Sequence, residues 1–378
     1  MPADVVVTGI GACTPLGADL PTTWSRLIAG ECAALPHDDL DELGLSTNVA
    51  CRVLDVVTDR VERGTVLART AAREALAAAD VGPEPCGGVF VGTTMGESGA
   101  FEAHRGPGIP SEATADVFAR SLAAEFELGG ATRTFGAACA AGNYAIGSAA
   151  EAIRRGRADV ILAGGAEPFS MIAMVGFARM RAMTPDRCRP FSAARGGMQL
   201  GEGAAFLVLE SSERARRRGA TVLGRVGRLG LTCDAHHPTR PLADGEGMAA
   251  AMTASLERTR LQPLDIAWVN THGTGTAASD AAEAAALHTV FDSRPPPITA
   301  CKGALGHSLG AATAIEAAIT IQALGAGLIP PTANVDAADP ALGVDLVTTP
   351  RQATTATWAL NCGYAFGGLN SALPLGTP

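Results

Sequence analysis

The chain has 378 residues, of which 47% are hydrophobic and 18% charged, and its net charge is −9. That length suits one large domain or two ordinary ones, and the apolar content supports a sizeable core and excludes a disordered chain. The acidic balance excludes a nucleic-acid binder and leaves only a local basic patch for docking an acidic partner.

The start, MPADVVVTGIG, has no basic n-region, and its apolar run is too short for a signal peptide. Val5-Val6-Val7 predicts a buried strand, with Gly9-Ile10-Gly11 as a turn after it. A dinucleotide fingerprint would need a glycine at position 14; Thr14 stands there, before Pro15, so a nicotinamide enzyme is set aside. Trp24, Leu27 and Ile28 fit one face of a short helix. Residues 31–63 read as loop-rich. Thr65–Ala79 is an Ala-rich helix stopped by Gly82 and Pro83. Val89-Phe90-Val91 is a strand ending at Gly92, and Thr93–Ser111 reads as one long loop, of a kind that often shapes a site. A helix is expected over 113–127.

Next comes TRTFGAACAAGNYAIGSAAEAIRRGRADVILAGGAEP, Thr134–Pro168. A strand ends near Phe135 and Gly136, a turn of small residues presents Cys139, and a helix runs to a stop at Gly156. Val160–Ala163 is an apolar run suited to a strand buried on both faces. A thiol at a helix start meets free N–H groups and the positive end of the dipole, which favour thiolate. A free Cys is commonly an inert packing residue. Here Gly136, Ala137, Ala138, Ala140, Ala141 and Gly142 leave open space around the sulfur, so Cys139 reads as a nucleophile.

Residues 171–189 read as mobile, and Gly201–Ala204 leads into a strand over Ala205–Leu209. ERARRRG, Glu213–Gly219, reads as a solvated basic helix end, and a boundary falls near Gly219, giving halves 1–219 and 220–378. Cys233–Pro238 is a loop; its adjacent His236 and His237 point apart, so with Asp234 they make no metal site, and no metal ligand is assigned. Ile266–Asn270 is a strand delivering His272-Gly273-Thr274-Gly275-Thr276, followed by a helix starting at Asp280 with Glu283 at capping-box spacing. Ile298–Cys301 is a strand delivering Lys302 and His307. A helix then runs to about Leu324. The apolar stretch Ala314–Leu328 contains Glu316 and Gln322, so no membrane span is read there. Trp358–Cys362 is a strand delivering a Gly-rich turn through Asn370. The nine cysteines are scattered with no C-x-x-C pair, which speaks against a disulfide framework or zinc knuckle and for a reducing, cytoplasmic setting.

Strand exits therefore carry a Cys, a His, a Lys with a His, and a glycine turn, and such exits are where α/β folds gather catalytic groups. One competing motif, Gly306-His307-Ser308-Leu309-Gly310, matches the G-x-S-x-G elbow of serine hydrolases. The base of that fold follows the nucleophile, and no His follows His307, so the hydrolase reading ranks lower.

Together the motifs AACAAG at Cys139, THGTGT at His272, KGALGHSLGAA at Lys302 and His307, and AFGGLN at Phe366 resemble the β-ketoacyl-acyl carrier protein synthases of the thiolase superfamily, the elongating Cys-His-His type. The resemblance implies an α/β thiolase-like fold, a duplicated α-β-α-β-α arrangement in five layers, and a homodimer or heterodimer. It implies that Cys139 accepts the acyl group and that His272 and His307 stabilise the enolate left when a malonyl unit loses carbon dioxide. Lys302 would polarise the His307 side. The Cys139 and Phe366 amides would form the oxyanion hole, with Phe366 gating the acyl pocket. Thr274 and Thr276, with Gly367 and Gly368, would meet the phosphopantetheine arm, and Glu316 would be a buried structural carboxylate. No permanently bound cofactor is implied: phosphopantetheine arrives on an acyl carrier protein or as a coenzyme A thioester. The chain departs from the family pattern at Ser192 and Gly196 in PFSAARGG, at Ala365 and Leu369 in AFGGLN, and at Thr313 in GAATA. The expected reaction is decarboxylative Claisen condensation of acyl and malonyl thioesters in fatty acid or polyketide biosynthesis. The alternatives are a non-decarboxylating acyltransferase or cyclase using the same Cys, and a weakly active partner subunit of a heterodimer.

Overall fold

A computed structural model describes residues 4–81, 87–292 and 294–378. Its centre is an eleven-stranded mixed sheet among the described residues. The strands in chain order are β1 (Val5–Cys13), β2 (Gly88–Gly92), β3 (Ala131–Phe135), β4 (Val160–Glu167), β5 (Gly203–Ser211), β6 (Gly224–Val226), β7 (Gly230–Cys233), β8 (Ile266–Asn270), β9 (Ile298–Thr299), β10 (Trp358–Tyr364) and β11 (Leu369–Gly376). In the first half the order is β3-β2-β4-β5-β1, parallel across β3, β2 and β4 and antiparallel across β5 and β1. The second half repeats it as β9-β8-β10-β11-β7, with the same directions. The antiparallel β1–β6 pair joins the two.

The duplication follows from which surfaces are apolar. Every residue of β1, β4 and β5 is buried, so each must be covered on both faces. Helix α1 (Leu20–Ile28) begins on the side chain of Asp19, which accepts from the Thr22 amide. Helix α2 (Arg63–Ala79) lays an Ala stripe on the outer face of β1. It comes so close that a Cβ on Gly9 or Gly11 would lie 2.1 Å from the carbonyl oxygen of Ala75 or Ala71. These glycines therefore extend the strand, where a turn was expected: they are there for helix packing. The stop expected at Gly82 and Pro83 lies outside the described residues; the helix ends at Ala79, with Asp80 left-handed at φ 45°.

Between the two halves lie α5 (Ala141–Arg154) and α9 (Ala312–Ala326), touching strands of both. A Cβ on Gly142 would meet the Ala314 amide at 2.4 Å, so small residues set the spacing of this central layer. The segment Leu309–Ala326 is apolar and long enough to cross a membrane, but 83% of it is buried within the molecule. Helices α7 (Glu246–Thr259) and α8 (Ala277–Val290) cover the outer face of the second half.

Several local expectations need correction. The loop after Gly92 contains a helix, α3 (Ser98–Ala103), and the next, α4, spans only Val117–Glu125. The stretch 171–189 opens with a capped helix, α6 (Met171–Arg179), whose N-cap Ser170 accepts from the Ala173 amide. Helix α8 starts at Ala277, so Asp280 is inside it. The Arg run is only partly a solvated face: Arg214 and Arg218 both pair with buried Glu210.

Candidate active site

Strand β3 hands the chain to Ala138, held at φ 44°, and Cys139 follows inside a 3-10 turn that opens α5. A non-glycine residue at positive φ costs of order 1–3 kcal/mol and persists where the surroundings demand it. Cys139 is buried, at 8% exposure. Burial pushes its thiol up to about 12, outweighing the opposing charge of Lys302. This corrects the expectation that a helix mouth alone would make the thiolate. The resting sulfur is a thiol that needs a base, and Nε2 of His307 lies 3.1 Å from Sγ.

His272 leaves β8 on a loop gripped from below by α8. The Glu283 carboxylate accepts from the amides of His272 at 2.8 Å and Gly273 at 2.9 Å. Asp280 accepts from the amides of Gly275 and Phe191. Burial raises Glu283 to about 8 and Asp280 to about 6, against the hydrogen bonds that oppose it. These two carboxylates, read from sequence as a helix start, are the clamp that shapes the His272 loop. Their three-residue spacing on one helix face was the available signal.

His307 is fixed through its backbone, its amide donating to the Gln199 carbonyl at 2.7 Å. The two imidazoles meet edge to face, with centroids 5.3 Å apart. Burial first, and the Lys302 charge second, hold both rings well below the ordinary histidine range, so both are neutral near pH 7. Lys302 itself is buried and donates to Glu316 Oε1 at 2.5 Å. It acts on the rings by charge from behind the cavity.

The cavity, with about 100 Å³ of free space, is lined by Cys139, His272, His307, Thr274, Thr276, Phe366, Gly367 and Gly368. Thr274 and Thr276 hydroxyls lie 3.0 Å apart. Phe366 opens a 3-10 turn, leaving its amide with no helical acceptor, and its ring is 39% exposed beside Phe177 at 5.7 Å. Gly367 and Gly368 take φ 83° and 76°, conformations that favour glycine. Asn370, at the start of β11, donates to Asp234 on the facing loop at 2.6 Å. Neither Phe177 nor the Asp234–Asn370 link was read from sequence. Ser308 of the competing elbow is buried, and the atom within reach of His307 is the sulfur of Cys139.

A buried carboxylate whose charge acts on Cys139 was missed. Glu167 ends β4 and accepts from the amides of Thr94, Met95 and Gly310 and the hydroxyl of Thr93. Its signal was a lone charge closing an apolar run. Departures from the family pattern have local uses: Thr313 Oγ1 accepts from the Asn143 amide at 2.9 Å, and Ser192 Oγ accepts from Ala194.

Residues 3–215 match the family described as Beta-ketoacyl synthase, N-terminal domain, and residues 223–336 match Beta-ketoacyl synthase, C-terminal domain. Nodulation protein E of Rhizobium sp. (strain N33) is 35% identical over 98% of both chains. 3-oxoacyl-[acyl-carrier-protein] synthase 2 of Staphylococcus aureus (strain COL) is 33% identical over 98% of this chain and 97% of its own. Among solved structures, a chain of the ishigamide ketosynthase/chain length factor superposes with a TM-score of 0.92 at 33% identity, covering 100% of both chains.

Proposed function

This chain belongs to the beta-ketoacyl synthase family of condensing enzymes, and on that premise we propose that Cys139 carries an acyl group and joins it to a malonyl-derived unit. The observation that carries this reading is the 3.1 Å contact between the Cys139 sulfur and a neutral His307 nitrogen, beside a second neutral ring.

In the first step Nε2 of His307 takes the thiol proton as sulfur attacks the carbonyl carbon of an acyl thioester. The oxyanion is met by the amides of Cys139 and Phe366, each worth about 3 kcal/mol in such a role. The carrier thiolate leaves and takes the proton. In the second step a malonyl thioester loses carbon dioxide, and charge moves onto its thioester oxygen. The neutral N–H donor of His272, joined by His307 once its ring proton has moved from Nδ1 to Nε2, holds that oxygen without protonating the carbon that attacks acyl-Cys139. Cys139 departs as a thiolate and takes a proton from solvent to restore the resting thiol, leaving a β-ketoacyl product.

Thr274, Thr276, Gly367 and Gly368 would line the phosphopantetheine arm, which arrives on an acyl carrier protein or as a coenzyme A thioester. Lys302 would be the charge behind the rings, and Glu316 its structural partner. The working unit is a homodimer, or a heterodimer of the kind named for the ishigamide relative, and the setting is cytoplasmic. We assign the functional halves to 1–219 and 220–378.

The test is to incubate the protein with acyl-carrier protein and measure its intact mass. An added acyl mass that disappears in Cys139→Ala supports the assignment, and one that survives the substitution sinks it. Malonyl-carrier is then added, and release of carbon dioxide from the acylated protein is expected. Acylation without release would favour simple acyl transfer.

A further inference from the structure

We propose that Cys139, His272 and His307 form a binding site for a d-block divalent cation such as Zn²⁺, which competes with the acyl thioester for the free enzyme. Each residue offers one ligand atom, and these atoms all lie within 4.8 Å of one another in a buried pocket. One sulfur and two imidazole nitrogens, with a position left for water, is a zinc-site donor set; in tetrahedral geometry its S···N separation is about 3.5 Å. The observed Sγ···Nε2 distance of 3.1 Å to His307 is a few tenths of an ångström short of that value, and the wider separations in the group, up to 4.8 Å, close by side-chain rotation as the ion binds.

Three further observations point the same way. Among the described residues the Nδ1 atoms of both rings are buried without a hydrogen-bond partner, so no second contact there locks either imidazole against a small rotation. The nearby ammonium of Lys302 is held against Glu316 at 2.5 Å, which lowers the repulsion its charge exerts on a cation in the pocket. All three ligands line the same cavity, so an ion that enters it reaches each of them. Thiolate and imidazole select zinc, copper or cobalt over magnesium or calcium. Binding replaces the thiol proton, which leaves to solvent, so each bound ion releases one proton. Acylation consumes the same sulfur, so a loaded Cys139 excludes the ion.

The test uses Co²⁺ as a spectroscopic stand-in for Zn²⁺ on the full chain. A thiolate-to-cobalt charge-transfer band that saturates at one ion per chain is expected, and Zn²⁺ should abolish it while Mg²⁺ leaves it unchanged. The band should be lost in Cys139→Ala and, guarding against a variant that does not fold, in the isosteric Cys139→Ser with its native circular dichroism confirmed. No saturable band, or one that persists after either change, overturns the proposal. The readout involves no acyl group, so its failure leaves the condensation reading standing, and failure of acylation leaves this one standing.

Discussion

In the first half of the molecule the third strand runs into Ala138 and Cys139. In the second half its counterpart, β9, runs by way of Lys302 and His307 into Leu309 and Gly310. Both turns place a non-glycine residue at nearly the same strained angle, φ 44° at Ala138 and 43° at Leu309. Both open a 3-10 turn that becomes a central helix, and the two turns pack against each other. The residue after the strained one is a nucleophile in one half and a glycine in the other. A Cβ on Gly310 would lie 2.4 Å from the Thr94 amide, and the Gly310 amide donates to Glu167. One elbow is open for chemistry; its twin is closed to hold the first in place, and the longer approach to it delivers a lysine and a histidine.

The sharpest way to break that contrast is to put alanine at both positions. Cys139→Ala should abolish acylation while changing stability by only about 1 kcal/mol. Gly310→Ala should cost about 3 kcal/mol by overpacking backbone against backbone. Intact-mass acylation and urea midpoints separate the two. A Gly310→Ala protein as stable as wild type would remove the packing role given to the second elbow.

The two histidines sharpen the contrast next. His307→Ala should slow acylation of Cys139 by about 10²–10⁴-fold, the usual worth of a positioned base. His272→Ala should leave acylation nearly intact and reduce carbon dioxide release from malonyl-carrier. Equal loss of both steps in both variants would erase the division of labour.

A smaller effect concerns the charge behind the rings. Lys302→Met leaves Glu316 buried without its cation and should cost about 3 kcal/mol in the urea midpoint. Adding Glu316→Gln should restore most of that stability. Turnover should fall only modestly in both, because burial, the larger cause, still keeps the rings neutral and only the Lys302 charge is lost.

What was legible in the sequence were the features that chain neighbours determine. Cys139, His272, Lys302 and Phe366 each sit a few residues past a strand, among glycines, with His307 farther along the Lys302 exit, and these four strand exits fell where expected. The parts that were not legible depend on long-range packing. Gly9 and Gly11 serve helix residues sixty or more positions away, so they read locally as a turn. Glu167 holds amides from both halves, 73 and 143 residues distant. The thiol was expected to be acidified by its helix, a local effect, and burial by the assembled fold reversed the sign.

That reversal extends to the carboxylate clamps of the two halves and gives the smallest prediction. Glu167 and Glu283 have folded pKa values of about 7 and about 8, raised from 4.5 mainly by burial. Between the unfolded and folded values the native state binds more protons than the unfolded chain, so their contribution to stability falls as pH rises through that window. The neutral histidines act with the opposite sign, because they are held well below 6.5 and unfolding lets them bind protons on the acid side. At about pH 6.5 that opposing effect is at half its size and it fades by about pH 7.5, so the raised carboxylates dominate from about pH 6.5 up to about pH 8. The melting temperature should therefore decline from about pH 6.5 to about pH 8. Glu283→Gln should flatten the upper part of the decline, and Glu167→Gln the lower. A melting temperature that rises across this interval in the wild-type protein would mean that both clamps are ionised in the native state, held by their amide donors more strongly than burial opposes them.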